Sequence, residues 1–303
     1  MEQITFGIFT DLHGEIMPDS KKRLQVFMDD AKSRTLDFII QAGDFAPLGS
    51  HDAKMVHIYN AFQGEKYHVL GNHDTDDCVK EDAIHRLQIP HPYYRFKSKG
   101  FKCIVLDTNN FYCEDTDTYV PFDKNSLDMK RSRSCIPPEQ LQWLEQELQE
   151  DCKCLIFSHA SLTGERTGIA GQESFWKVID EVHKQAGYKK VKACFHGHDH
   201  FDSLHVHHGV YSIGIPSISN QWIGQQHVNT DVQKECLTRY PELIHVVPYA
   251  QPLYTFVTCN HQEIIIEGKE TTYVGGKPSK YGRDMQMGYD HMSSFMKRKV
   301  LPY

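Results

Sequence analysis

No stretch of this 303-residue sequence approaches the ~20 apolar residues of a membrane span. Met1-Glu2-Gln3 leads straight into an apolar run, with no basic or apolar leader, so a cytoplasmic protein is expected. The nine cysteines include no Cys-x-x-Cys pair, and Cys152-Lys153-Cys154 has the wrong spacing for a redox or zinc motif. Scattered and odd in number, most are expected to be small buried hydrophobes in a reducing compartment. A basic surplus is missing too. The formal net charge of -7 argues against a broad nucleic-acid surface, whose affinity comes from neutralising phosphates. Two small basic clusters, Lys130-Arg131-Ser132-Arg133 and Lys297-Arg298-Lys299, read as a solvated loop and tail. No shift in composition marks a linker. One domain is expected over 1–267, followed by a polar tail, 268–303, that packs on the domain or on a second subunit of a homo-oligomer.

What the chain does have is enough apolar residues, 40%, for a substantial core, and an unusual way of ending its strands. Tyr67 to Leu70 stops in Gly71-Asn72-His73-Asp74. Ile4 to Thr10 stops in Asp11-Leu12-His13, and Phe38 to Ala42 in Gly43-Asp44. Leu155 to Phe157 stops in Ser158-His159, and Val191 to Phe195 in His196-Gly197-His198-Asp199-His200. Turn chemistry places Gly, Asn and Asp after strands and accounts for any one of these runs. It does not account for all five, with histidine at four. In an open α/β sheet, ligands sit beyond the carboxyl ends of the strands, so the five ends are expected to converge on one spot.

Between these runs, periodicity predicts crossover helices. Leu24, Phe27, Met28 and Ala31 share a face of a helix over Lys21 to Ser33, with Ser20 as its cap. Further helices are expected over Ala53 to Phe62, from a cap at Asp76 or Asp77 to Leu87, from Pro137-Pro138 to Gln149, and over Gln172 to Gln185. Hairpins are expected around Ser98-Lys99-Gly100, His208-Gly209 and Asn260-His261. Residues 108–135 show no clear period and read as an insertion near the site mouth. The α/β class follows, with two sheets face to face and helices outside.

The donors at the strand ends are carboxylate, imidazole and carboxamide, without sulfur. That set suits manganese, iron or zinc. Asp11, His13, Asp44, Asn72, His159, His198 and His200 are seven ligands, too many for one tetrahedral ion and enough for two that share a carboxylate. Two ions ~3.5–4 Å apart can clamp a phosphoryl group from both sides.

The order Asp-x-His, Gly-Asp, Gly-Asn-His-Asp, a lone His, then Gly-His-x-His resembles the calcineurin-like metallophosphoesterase superfamily, over about two thirds of the chain. The layout is similar to its class III cyclic-nucleotide phosphodiesterases. The resemblance implies a four-layer α/β/β/α sandwich. It assigns Asp11, His13 and His200 to one ion, Asn72, His159 and His198 to the other, and Asp44 to both. His73 would face the substrate, with Asp74 holding its orientation, and a metal-held hydroxide would attack phosphorus in line. Pro47 stands where purple acid phosphatases carry a tyrosine, which excludes that branch. The implied activity is hydrolysis of a small nucleotide-like phosphate ester, either a diester or a monoester. A nuclease is disfavoured by the acidic balance, and a silent scaffold by the filled ligand positions. Arg166 is a further residue that could reach a substrate phosphate, and His205, His207 and His208 form a histidine-rich hairpin.

Overall fold

The structure, a computed structural model, describes residues 3–49, 53–126, 134–163, 167–288 and 290–303. Two six-stranded sheets form its centre. The first runs Lys299–Pro302, Glu263–Ile266, Thr255–Cys259, Ile4–Phe9, Phe38–Gln41, Glu65–His68. Its last three strands are mutually parallel and the others join antiparallel. The second runs Ser203–His207, Val210–Gly214, Val191–His196, Lys153–Phe157, Phe101–Val105, Tyr94–Ser98, with its four inner strands parallel and both edges antiparallel.

Strand residues alternate between faces, and here both faces are apolar because both are covered. Phe6 stacks on Phe38 with ring centres 4.7 Å apart and meets Phe157 and Phe195 of the other sheet edge-on at 5.6 Å. Those rings form the layer between the sheets. On the outer face of the first sheet, Phe9 packs against Phe27 of helix Ser20–Lys32, at 4.7 Å. Helices Ala53–Asn60 and Lys80–Leu87 extend that layer through Met55, Tyr59, Ala83 and Leu87. On the far side, Cys154, Ile156 and Cys194 point away from the sandwich centre. They pack on helices Pro138–Glu147 and Gln172–Ala186 through Leu144, Phe175, Trp176 and Ile179. The result is the four-layer α/β/β/α sandwich.

Several boundaries differ from expectation for identifiable reasons. Ser20 is the first residue of its helix, not its cap, and the preceding Asp19 carboxylate takes the Nε–H of Arg23 at 2.7 Å. Asp76 and Asp77 do not cap the third helix, which starts at Lys80 behind Val79. Their carboxylates are committed elsewhere, Asp76 to His73 and Asp77 to the amide of Gly49. Residues after 267 fold back. Short ladders pair Lys269–Glu270 with Phe295–Met296 and Gln286–Met287 with Asp290–His291. Lys299–Pro302 then becomes an edge strand beside Glu263–Ile266, with Leu301 buried.

Candidate metal centre

All five strand ends emerge at one edge of the sandwich, because each belongs to the parallel part of its sheet. The loops there bind one another through backbone: Asp11 N–H donates to Gly43 O at 2.9 Å, His13 N–H to Asp44 O at 3.1 Å, and Gly197 N–H to His159 O at 3.0 Å. Close packing of these loops leaves no room for side chains at some positions. A Cβ on Gly71 would sit 2.1 Å from the amide nitrogen of Asp44 and 2.2 Å from its Oδ1. The fit is also bought with backbone strain. Asp11, His13, Asp44, His198 and His200 all hold φ between 52° and 67°, the left-handed region that L side chains avoid at ~1–2 kcal/mol each. Such strain concentrates at functional sites.

The side chains gather in two groups. Ligand atoms of Asp11, His13 and His200 lie within 4.8 Å of one another, as do those of Asp44, His159 and His198. Asp44 Oδ2 reaches toward both, at 3.1 Å from His159 Nε2 and 3.8 Å from His13 Nε2. The orientation of each ring is set from behind. His159 Nδ1–H donates to Ala42 O at 2.9 Å and His200 Nδ1–H to Asn220 O at 3.1 Å, while His13 Nδ1 faces Glu15 Oε1 at 2.7 Å. Each therefore turns Nε2 inward, an arrangement typical of metal-binding histidine. His198 instead presents Nδ1, 3.2 Å from His159 Nε2.

The donor set fits two cations. Nε2 of His13 and Nε2 of His200 lie 3.2 Å apart, two lone-pair nitrogens aimed at one place. Asp11 Oδ2 is satisfied by the Thr10 hydroxyl at 2.7 Å and the His198 amide at 3.0 Å, yet its Oδ1 is buried with no hydrogen-bond donor. Asn72 Oδ1 is buried in the same condition. Two orphaned oxygens beside inward-facing imidazoles are costly unless a cation completes them. The family model described as calcineurin-like phosphoesterase matches residues 4–202, which hold every one of these residues.

The chain belongs to the calcineurin-like phosphoesterase family.

Metal-dependent hydrolysis of phosphoric esters follows from that membership and from the two donor groups. Two curated relatives are similar in sequence, each named a manganese-dependent ADP-ribose/CDP-alcohol diphosphatase. The Arabidopsis thaliana protein is 28% identical over 238 residues, covering 59% of this chain and 75% of its own length. The protein of Oryza sativa subsp. japonica is 26% identical over 262 residues, covering 67% and 81%. Among solved structures, a dimetal phosphatase from Danio rerio superposes with a TM-score of 0.60 at 14% identity, over 90% of this chain and 99% of that one.

Electrostatics in this phosphoesterase site follow from the crowding. Burial pushes the Asp11 and Asp44 carboxyls up, but the imidazoles of His200 and His159 around Asp11, and of His159 and His73 around Asp44, outweigh it. Both carboxyls sit below the usual range. Burial opposes charge on His159, and Asp44 overrides it, raising the ring to about 9. His73 lines the cleft in front of these groups. Burial alone would lower its pKa; Asp44, then Asp76, raise it above the ordinary imidazole value.

One expectation needs correcting. Asp74 does not orient His73. Its carboxylate faces inward and accepts the amides of Phe45, Ala46 and Gly71 at 2.7, 3.0 and 2.8 Å. The partner of His73 Nδ1 is Asp76, whose Oδ2 lies at 2.6 Å. Spacing alone allows either carboxylate. The turn at His73–Thr75 decides by placing i+3 beside the ring.

Asp199 accepts the Thr167 hydroxyl at 2.5 Å and belongs to neither donor group. His205 pairs with Asp290 at 3.0 Å and His208 with Asp180 at 2.6 Å, and no third donor group forms among the described residues. Arg166 and the Lys130–Arg133 cluster lie outside the described residues. Of the insertion, residues 108–126 carry a hairpin, Asn110–Cys113 with Thr118–Pro121, and none of its described residues lines the cleft; residues 127–133 lie outside the described residues. The cleft measures about 600 Å³, and its lining also includes Phe201, Trp222, Arg283, Met287 and Met292. Nothing local to residues 283–292 announces that role.

Proposed function

We propose that this phosphoesterase acts with manganese on a small substrate whose phosphorus is joined on both sides, a nucleoside diphosphate diester of the ADP-ribose type. The observation that carries the reading is the cleft itself. Its lining combines imidazole and carboxylate donors with the rings of Phe201 and Trp222 and the thioethers of Met287 and Met292. Phosphate suits the first set and a base or an alcohol the second. The names of the two curated relatives support the same class.

In this reading Asp11, His13 and His200 would hold one ion and Asn72, His159 and His198 the other, with Asp44 available to both. Such a pair supplies Lewis-acid polarisation of the phosphoryl oxygens and activation of water. The remaining work falls to protein groups. His73, held through Nδ1 by Asp76, lines the cleft and donates to the phosphoryl group or to the leaving oxygen. Asp74 ties Gly71 to Phe45 and Ala46, so that Asn72 and Asp44 share one frame. Hydrolysis breaks the bond from phosphorus to the leaving oxygen, and water supplies the new hydroxyl.

A cytoplasmic setting is part of the proposal, supported by nine free cysteines. Among the described residues no helix is long and apolar enough to cross a membrane. The test is initial rates on ADP-ribose, bis-p-nitrophenyl phosphate and p-nitrophenyl phosphate, using metal-stripped protein with added manganese. Turnover of the first two well above the third is expected. A preference for the monoester would overturn the substrate class and leave the metal centre standing.

A further inference from the structure

The cleft is lined by one cation that meets no carboxylate among the described residues. Arg283 is the only lysine or arginine among the described residues that line the cleft. Its Nη2–H contacts Met287 Sδ at 3.0 Å, and its Nε–H is buried with no acceptor. No carboxylate pairs with it, although Glu15, Asp76, Asp199 and Glu242 line the same space. Glu15 and Asp76 are engaged with His13 and His73, and Asp199 with Thr167.

The placement of Arg283 is built. The next helical turn upstream, Pro278–Tyr281, is pinned by the Tyr281 hydroxyl on Asp231 Oδ2 at 2.9 Å, and Arg283 N–H donates to Pro278 O at 3.2 Å. Downstream, Met292 N–H donates to Met285 O at 2.8 Å, and Asp290 is held by His205. A long side chain fixed at both flanks, with an unused planar fork, loses little freedom when an anion arrives.

We infer that Arg283 is a specificity-determining residue that binds the second phosphate of a diphosphate substrate while the first lies against the metal donors. The inference rests on the diphosphate reading above. A guanidinium matches phosphate oxygens two at a time, and a single-phosphate ester has nothing to offer it. Apart from the histidines, the other ionisable side chains among the described lining residues are carboxylates, which repel a second phosphate, so Arg283 supplies the discrimination.

The experiment compares kcat/KM for ADP-ribose with kcat/KM for bis-p-nitrophenyl phosphate in manganese-loaded wild type, Arg283→Gln, Arg283→Lys and Lys277→Gln. Lys277, exposed on the same segment, controls for net charge. Arg283→Gln is expected to lower the ADP-ribose to bis-p-nitrophenyl phosphate ratio by about 10- to 100-fold, chiefly through KM. Arg283→Lys should recover part of it, and Lys277→Gln should keep the wild-type ratio. An unchanged ratio in Arg283→Gln, or equal losses on both substrates, overturns the inference. Wild type that cleaves bis-p-nitrophenyl phosphate but not ADP-ribose would instead overturn the diphosphate reading itself, and the role of Arg283 with it.

Discussion

Replacing Gly71 with alanine tests whether the site depends on loop contact as closely as the geometry demands. Gly71 is not in left-handed backbone, so an alanine there carries no conformational penalty of that kind. The conflict is purely one of distance. The added Cβ would lie 2.1 Å from Asp44 N and 2.2 Å from Asp44 Oδ1, and an ordinary contact is about 3.5 Å. Asp44 or the Gly71 loop must therefore shift by more than about 1 Å. Either shift disturbs the amide of His73 on Asp44 Oδ1, 2.8 Å, and the amide of Gly71 on Asp74 Oδ2, 2.8 Å. Overpacking of this kind costs about 1–3 kcal/mol of stability, which a domain can survive. Misplacing a reacting group by 1 Å costs about 10²-fold in rate. The expected Gly71→Ala protein is folded, binds less than two equivalents of manganese, and turns over bis-p-nitrophenyl phosphate about 100-fold more slowly. Metal analysis and initial rates measure both. Gly187→Ala is the control: its φ of 75° is unfavourable but no atom lies within 4 Å of the new Cβ. It should cost about 1 kcal/mol of stability and leave the rate alone. A Gly71→Ala enzyme with two ions and full turnover would refute the claim that this contact sets the position of Asp44.

Other outcomes follow from the same structure. Asp44→Ala should abolish metal retention and turnover together, since Asp44 faces both donor groups; retention of two ions would count against that placement. His73→Ala should keep both ions and lose about 10²–10⁴ in kcat, most severely with poor leaving groups. Asp76→Asn should shift the pH profile of kcat, whereas Asp74→Asn should chiefly lower Tm by disturbing three buried amide contacts. If the two variants exchange behaviour, Asp74 is the orienting carboxylate after all. His183 is far from the site and accepts the Val191 amide on Nε2 at 3.1 Å, so the ring is neutral, and burial followed by Lys189 pushes it down to about 4. Unfolded histidine titrates near 6.5. Below that pH the unfolded chain gains a proton that the folded chain refuses, so this contribution is complete above 6.5 and is lost as pH falls toward 4. His183→Gln should show a shallower fall in Tm from pH 7 to pH 5 than wild type, and identical slopes would remove His183 from the account.

Much of the fold was legible because it is local. The apolar runs and the 3.6-period helices needed only neighbouring residues, and the observed sheets use those runs with boundary changes of a few residues, except for the edge strand Lys299–Pro302, which came from the tail. Where the expectations slipped, a side chain that reads as a local cap was taken by a distant or different partner. Asp77 answers the amide of Gly49, and Asp76 the ring of His73. The ligand residues were legible for a different reason. Carboxylates and imidazoles directly after apolar strands are poor core material, and five repeats of that pattern converge wherever the strands are parallel.

The sequence by itself determined the chemistry of this protein: which donors exist, that none is sulfur, and that parallel strands must deliver them to one edge. Tertiary structure alone decided three further matters. It gave His73 to Asp76 and not Asp74, because the amides of Phe45, Ala46 and Gly71 are buried and had to be paired. It put five residues of the two donor groups into left-handed backbone, which only the packing of loop on loop can sustain. It also brought Arg283, Met287 and Met292 into the cleft that Asp44 lines, over more than two hundred residues of chain. A local pattern cannot encode that last contact. It exists because the chain after Ile266 folds back over the cleft before its final strand, Lys299–Pro302, pairs with the edge of the first sheet.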